Sequence, residues 1–182
     1  RCYPSLERPM SAYLFDLETD GLYNDCTQIH CVGVYDLDAR KALVYNDQGD
    51  QAPISQAITM LEGADYIIGH NVINYDIPVI KKLYPWFKPE GQVVDTLLLS
   101  RLYHADILDI DQRRKWNMMP LKLYGRHSLE SYGYRLNCYK GDFGKDADWS
   151  TWSQEMQDYM VQDVNVTNKV WKHFHSYLNG SR

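Results

Sequence analysis

The sequence predicts an α/β domain built on a mixed β-sheet with helices packed against it. Two observations predict this class. Three segments near the start alternate apolar and polar residues as strands do, and the chain closes on one long stretch with helical spacing. Between them run a helix, a short apolar strand and further helices, an order that layers helices on a sheet.

Residues 1–9 (RCYPSLERP) have no periodic pattern, and Met10 stands directly before a strand. They read as an arm or as added residues ahead of a domain spanning 10–182. Strands are expected in SAYLFDLE (11–18), TQIHCVGVYDL (27–37) and KALVYND (41–47), separated by turn-formers such as Asp20-Gly21 and Asp38-Ala39. PISQAITMLEGA (53–64) puts Ile54, Ala57, Ile58 and Leu61 on one helical face, and Gly63 follows as a stop signal. DYIIGHN (65–71) reads as a buried strand, and YDIPVIKKLYPWF (75–87) as a helix with Pro78 in its first turn. VVDTLLLSRLYHA (93–105) is a short strand or turn leading into a helix. Residues 105–125, with QRRKW and MMP, are less regular and read as an insertion or a loop-rich helical excursion. HSLESYGYRL (127–136) is a helix capped at His127-Ser128. The last helix, 152–178, carries Met156, Tyr159, Met160, Val164, Val170 and Phe174 at its apolar positions.

At 182 residues and 45% hydrophobic, the chain has enough apolar material for one domain with a sizeable core. No apolar run reaches membrane-spanning length and no secretory signal pattern opens the chain, so no membrane partner is expected. Four cysteines (Cys2, Cys26, Cys31, Cys138) form no CxxC pair and no disulfide ladder, which predicts a reducing cytoplasm. Cys26, His30 and Cys31 invite a zinc reading. No second pair stands at finger spacing, so they are read as ordinary strand residues. The net charge of −5 is unlike the basic footprint of most nucleic-acid binders. Bound divalent cations would offset a cluster of acids, so the charge does not exclude such a function. The cations are uneven: Lys81-Lys82, Arg101, Arg113-Arg114-Lys115, Lys122 and Arg126. Lys81, Arg101 and Arg113 are candidate phosphate contacts.

The chemistry-bearing residues fall in three fragments. Asp16 and Glu18 alternate with Leu17, so their side chains leave one face of a strand about 7 Å apart. A carboxylate at the end of a core strand is costly unless paired or metal-bound; the plain alternative is two surface acids. Asp76 follows Tyr75 where a strand gives way to a helix, near His70, Asn71 and Asn74, and the alternative there is a helix N-cap. Tyr159 and Asp163 are one helical turn apart, about 6 Å of rise, and share a face. Their alternative is an amphipathic helix with the tyrosine in the core and the acid in solvent. Hard oxygen ligands suit magnesium or manganese, which can activate water and neutralise a leaving oxygen in phosphodiester hydrolysis.

Together, DLE, NVINYD and YMVQD resemble the motifs of the DEDD superfamily of 3′–5′ exonucleases, and Tyr159 four residues before Asp163 resembles its tyrosine subclass. FDLETDGL is similar to the first motif of family A DNA polymerase proofreading domains. DTLLLSRLYH, GRHSLESYGYRL, YKGDF and YMVQDVNVT resemble their counterparts in replicative polymerases of short-tailed lytic phages, and the matches run from about Leu14 to Val170. The resemblance implies a ribonuclease H-like fold with a central mixed five-stranded sheet. It implies metal-dependent removal of nucleoside 5′-monophosphates from single-stranded or frayed DNA 3′ ends, with two divalent cations, Mg2+ or Mn2+. On this likeness Asp16, Glu18 and Asp163 hold one ion, Asp16 bridges to the second, and Asp76 holds that ion directly or through water. Tyr159 positions the attacking hydroxide. Thr19 lies under the terminal nucleotide with Leu22 wedged against its base. Asn71 is a substrate contact, although it is separated from Tyr75 by one more residue than in some bacterial members. Asp95 and Ser128-Leu129 match family positions too, with structural capping as an equal alternative. The implied partners are a single-stranded DNA 3′ end and a polymerase domain or other replication or DNA-processing protein, in a bacterial or phage-infected cytoplasm. A free-standing enzyme and an excised proofreading domain fit equally. The other readings are an RNA-trimming exonuclease of the same superfamily and a catalytically silent nucleic-acid-binding or protein-docking module.

Overall fold

Three antiparallel strands extended by two parallel ones form the sheet in the computed structural model, which describes residues 10–139 and 147–180. The expected arm at 1–9 and the YKGDF segment from Lys140 onward lie outside the described residues. β1 (Ala12–Thr19), β2 (Ile29–Asp36) and β3 (Lys41–Asn46) make an antiparallel meander, and β4 (Tyr66–Gly69) and β5 (Gln92–Asp95) continue in parallel from the other side of β1. The order across the sheet is β3-β2-β1-β4-β5, so β1 is central. The helices are α1 (Ile54–Glu62), α2 (Asp76–Leu83), α3 (Thr96–Tyr103), α4 (Ile107–Arg114), α5 (Leu129–Arg135) and α6 (Gln154–Leu178), with a short 3₁₀ turn at Leu121–Leu123. No helix among the described residues is long and apolar enough to cross a membrane.

Two elements are shorter than their sequence patterns suggest. The helix expected over 75–87 stops at Leu83, because Tyr84 precedes Pro85 and sits outside the helical region at φ −125°, ψ 79°. The strand expected over 65–71 stops at Gly69, and Asn71 turns into the left-handed region at φ 65°. The segment at 93–105 resolves into β5 and α3, with Asp95 ending the strand and capping the helix through the Leu97 amide at 2.9 Å. The irregular stretch at 105–125 contains α4 and the 3₁₀ turn. Ser128 caps α5 and Ser153 caps α6, each accepting a backbone amide three residues on.

The pleat of β1 sorts its side chains into two layers. Phe15 and Leu17 enter a core with Ile54, Ile58 and Leu61 of α1 and Val79 and Ile80 of α2. Leu14 faces the other way, against Met160 and Val164 of α6. Farther along α6, Val166, Val170 and Phe174 pack with Ile107 and Tyr132 and tie the helix to α4 and α5. Burial of each such side chain contributes roughly 1.5–3 kcal/mol. Gly33 of β2 pairs with Asp16 and lies beneath α6, where an added Cβ would come within 2.1 Å of the Met160 sulfur and 2.8 Å of a Val164 methyl. The missing side chain lets the helix seat directly on the sheet.

Replacing Gly33 with valine should therefore cost about 1–3 kcal/mol through overpacking, with alanine costing less. Urea denaturation checks this: an unchanged midpoint for Gly33→Val would mean α6 does not press on the sheet at this point.

Candidate active site

The even-numbered face of β1 that begins with Leu14 continues to Asp16 and Glu18, and α6 brings Asp163 down onto it. One ligand atom from each of the three carboxylates lies within 4.8 Å of the others. Among the described residues this is the one group of three metal-competent side chains that converges. Asp16 and Glu18 are half-buried and Asp163 is buried at 6% exposure. Like charges so close in a partly dehydrated setting repel strongly, and a bound divalent cation reverses that repulsion. All three offer hard oxygen ligands, so the residues present fit Mg2+ or Mn2+.

Tyr159 lies one turn before Asp163 on α6, half-buried, with its ring edge-on to Trp149 at a centroid distance of 6.4 Å. The amphipathic alternative for this pair is inverted in the structure, since the acid is the more buried of the two. Asp76 opens α2 and is 4% exposed. The N-cap position belongs to Tyr75, and no side chain caps that end. Asp76 lies outside the group of three, beside the same strand, with the Leu17 amide facing its carboxyl. Burial pushes its pKa up to about 7, the nearby Asp95 charge adds to the rise, and the Leu17 amide opposes it.

The turn after β1 is pinned from three sides. Thr19 donates its hydroxyl to the Gly21 carbonyl at 2.9 Å and lies 2.5 Å from the Tyr75 hydroxyl, which also donates to Gly21 at 2.6 Å. Asp20 accepts the amides of Thr27 and Gln28. Lys82 reaches from α2 to the carbonyls of Tyr23 and Asn24 at 2.7 and 3.1 Å, with its ammonium 5.3 Å from the Tyr23 ring centroid. Leu22 stands out from this braced turn at 77% exposure. Sequence reasoning missed Tyr75 and Lys82. The first stood inside the NVINYD motif, where the reading fell on Asn71 and Asp76; the second bore no signal beyond its charge.

Asn71 is held by its backbone in the turn after β4. Its amide donates to Asp95 Oδ1 at 2.9 Å and the Ile73 amide to Oδ2 at 3.1 Å. Asp95 and Ser128 thus act as structural caps. The residues of the zinc reading turn to different partners: Cys26 to the Gln28 carbonyl, His30 to the Trp149 carbonyl at 2.9 Å, and Cys31 into the core under α6. Burial, and then the charges of Glu18 and Asp16, drive the Cys31 thiol far above its ordinary pKa, so it stays protonated.

Residues 13–132, more than half of the chain, match a family model described as the RNase_H superfamily. The chain belongs to the RNase H superfamily. It is 30% identical over 177 residues to the DNA-directed DNA polymerase of Escherichia phage T7, a match covering 85% of this chain and 25% of that protein. The chain therefore spans about a quarter of the length of the curated relatives it matches. Brucella melitensis NrnC shares the fold at TM-score 0.62 and 20% identity, over 98% of this chain and 79% of NrnC. Escherichia coli RNase D, described as an exoribonuclease involved in structured RNA processing, shares it at TM-score 0.54 and 14% identity, over 92% of this chain and 40% of that one. The five-stranded mixed sheet is the RNase H-like arrangement that the sequence resemblance implied.

The raised proton affinity of Asp76 has a measurable sign. Its unfolded value is near 3.8, so between about pH 4 and 7 the native state binds more protons than the unfolded chain, and stability falls as pH rises through that window. In EDTA, Asp76→Asn should gain on wild type as pH climbs from about 4 to about 7, with no further gain above. Urea denaturation of both proteins across that range decides it; parallel curves would mean the proton affinity of Asp76 is not raised in the native state.

Proposed function

We propose that this chain is a divalent-metal-dependent 3′–5′ exonuclease of the DEDD type and its tyrosine subclass, acting on single-stranded or frayed DNA 3′ ends. The observation that carries this reading is the convergence of Asp16, Glu18 and Asp163 within 4.8 Å on β1 and α6. Two Mg2+ or Mn2+ ions would supply an activated water and neutralise charge on the departing 3′ oxygen. Asp16, Glu18 and Asp163 would hold one ion, and Asp76, with Asp16, would hold a second directly or through water. The Tyr159 hydroxyl, one turn from Asp163, orients the attacking water. Thr19 supports the terminal nucleotide, and exposed Leu22 on its braced turn meets the base. Asn71, its amide fixed by Asp95, contacts the strand. The products are nucleoside 5′-monophosphates and a strand one unit shorter.

DNA is favoured by the 30% identity to a phage DNA polymerase. The same relative supports work beside a polymerase domain or another replication protein, in a bacterial or phage-infected cytoplasm, with residues 10–182 as the exonuclease domain. NrnC has been solved with pGG and with Mg2+, which supports a nucleotide and a divalent cation as ligands of this fold. RNA trimming is the second reading, favoured by the fold shared with RNase D. End-labelled single-stranded DNA and RNA of one sequence, incubated with Mg2+, Mn2+ or EDTA, test both. Metal-dependent release of mononucleotides with DNA cut faster is the expected result. Internal fragments appearing first, or cleavage in EDTA, would overturn the proposal.

Asp16→Ala, Glu18→Ala and Asp163→Ala should each remove nearly all hydrolysis while the protein stays folded, because ligands of one ion act as a unit. A variant retaining more than about a tenth of the rate would contradict that assignment.

Tyr159→Phe keeps the ring and deletes one positioning hydrogen bond worth about 1–3 kcal/mol, so the rate should drop roughly 5- to 150-fold. Steady-state rates on a labelled strand check this. A fully active Phe variant would remove the hydroxyl from the mechanism.

A further inference from the structure

Residues 112–126 (QRRKWNMMPLKLYGR) hold five cations and no carboxylate, in a chain whose net charge is −5. Arg113, Arg114, Lys115, Lys122 and Arg126 are all exposed. Arg113 is partly engaged, by a 3.8 Å solvent-exposed pair with Asp106 and a bond to the Asp109 carbonyl, and such exposed pairs are weak. Among these cations stand two half-buried rings, Trp116 and Tyr124, which line a surface pocket with Leu108, Gln112, Lys115 and Leu121. The Arg114 guanidinium lies 5.3 Å from the Trp116 ring centroid. Met118 and Leu121 project beside them at 82% and 79% exposure.

This surface is built, not incidental. Asp111 of α4 is fully buried, and its carboxylate accepts the Trp116 indole N–H and the Gly125 amide, each at 2.9 Å, and two bonds from Arg135 of α5 at 2.9 and 2.7 Å. Those donors hold the carboxyl below its ordinary pKa, against the effect of burial. One acid thus fixes the indole, the turn at Gly125 and the neighbouring helix. Lys115, left-handed at φ 50°, ends α4 and swings the chain so that Trp116 meets that acid. Beyond Tyr124, the surface runs through Gly125, Arg126 and His127 into a second pocket that also contains Arg101 and Asn71. The two pockets adjoin along the chain at Tyr124-Gly125, and the second includes the residue assigned to the substrate strand.

Clustered cations interleaved with rigid aromatic rings match single-stranded nucleic acid, whose phosphates seek the cations and whose bases stack on the rings. We propose that the 112–126 surface is a docking platform for the upstream part of a single strand, beyond the few nucleotides nearest the acids. The strand's polarity and entry by way of Asn71 rest on the exonuclease reading; the affinity of the platform for a strand does not.

The test pairs Arg114→Gln/Lys122→Gln with the charge-keeping Arg114→Lys/Lys122→Arg. Binding of a fluorescent single-stranded 12-mer is followed in EDTA across salt concentrations, and hydrolysis of the 12-mer and of a dinucleotide is followed in Mg2+. Loss of two phosphate contacts should lower the slope of log affinity against log salt by about 1.4 and weaken binding roughly tenfold at about 0.15 M salt. KM for the 12-mer should rise by a similar factor with kcat unchanged, the dinucleotide should be cut as by wild type, and the charge-keeping pair should behave as wild type. A 12-mer whose upstream half lacks bases should keep the salt slope and lose affinity. Unchanged binding in the Gln pair, equal loss on both substrates, or equal affinity for the abasic strand would overturn the platform. If wild type hydrolyses nothing while binding responds as described, the exonuclease reading fails and the platform stands.

Discussion

The two-sided burial of β1 is the constraint on which the remaining architecture depends. A central strand must satisfy both faces of the sheet, and its period of two commits Phe15 and Leu17 to one layer and Leu14, Asp16 and Glu18 to the other. The second layer changes character along the strand, from apolar at Leu14 to acidic at Asp16 and Glu18. α6 follows that change, with Met160 and Val164 on the apolar part and Asp163 on the acidic part. A slip of one residue in the β1–β2 register would turn both acids into the core under α1. The hydrophobic packing that stabilises the domain therefore also sets the geometry of its carboxylates.

Like-charge crowding at such a position opposes folding, and the apolar packing on either side of the acids offsets it. Gly33 brings α6 close, and the cluster of Phe174, Tyr132, Val166 and Val170 holds the far half of that helix to α5. The site is thus supported by contacts at both ends of a 25-residue helix. Regions that carry strained or repelling groups generally depend on such surroundings to persist.

What could be read in the sequence was local. The alternation of β1, the turn-spacing of Tyr159 and Asp163, and the caps at Asp95 and Ser128 are short-range patterns, and the structure follows them. Where a local rule competed with periodicity the rule won: Pro85 cut short a helix whose apolar spacing ran on to Phe87. Long-range pairings left no trace. Lys82 meets Tyr23 across 59 positions and Arg135 meets Asp111 across 24, and neither lysine nor arginine announces its partner. Asp76 lay between these cases. Its position at the start of α2 was legible, but its burial against the Leu17 amide depends on how α2 packs on β1, which no motif encodes.

Asp95 has a consequence for motion. The same carboxylate that caps α3 also grips the amides of Asn71 and Ile73, so the turn after β4 and the first turn of α3 share one anchor at the end of β5. Displacing the Asp95 carboxylate would release both segments at once. The Asn71 backbone is accordingly held by the fold itself. The entropy of ordering this turn is lost during folding; on the proposed reading, in which Asn71 meets the strand, it is not lost again on association.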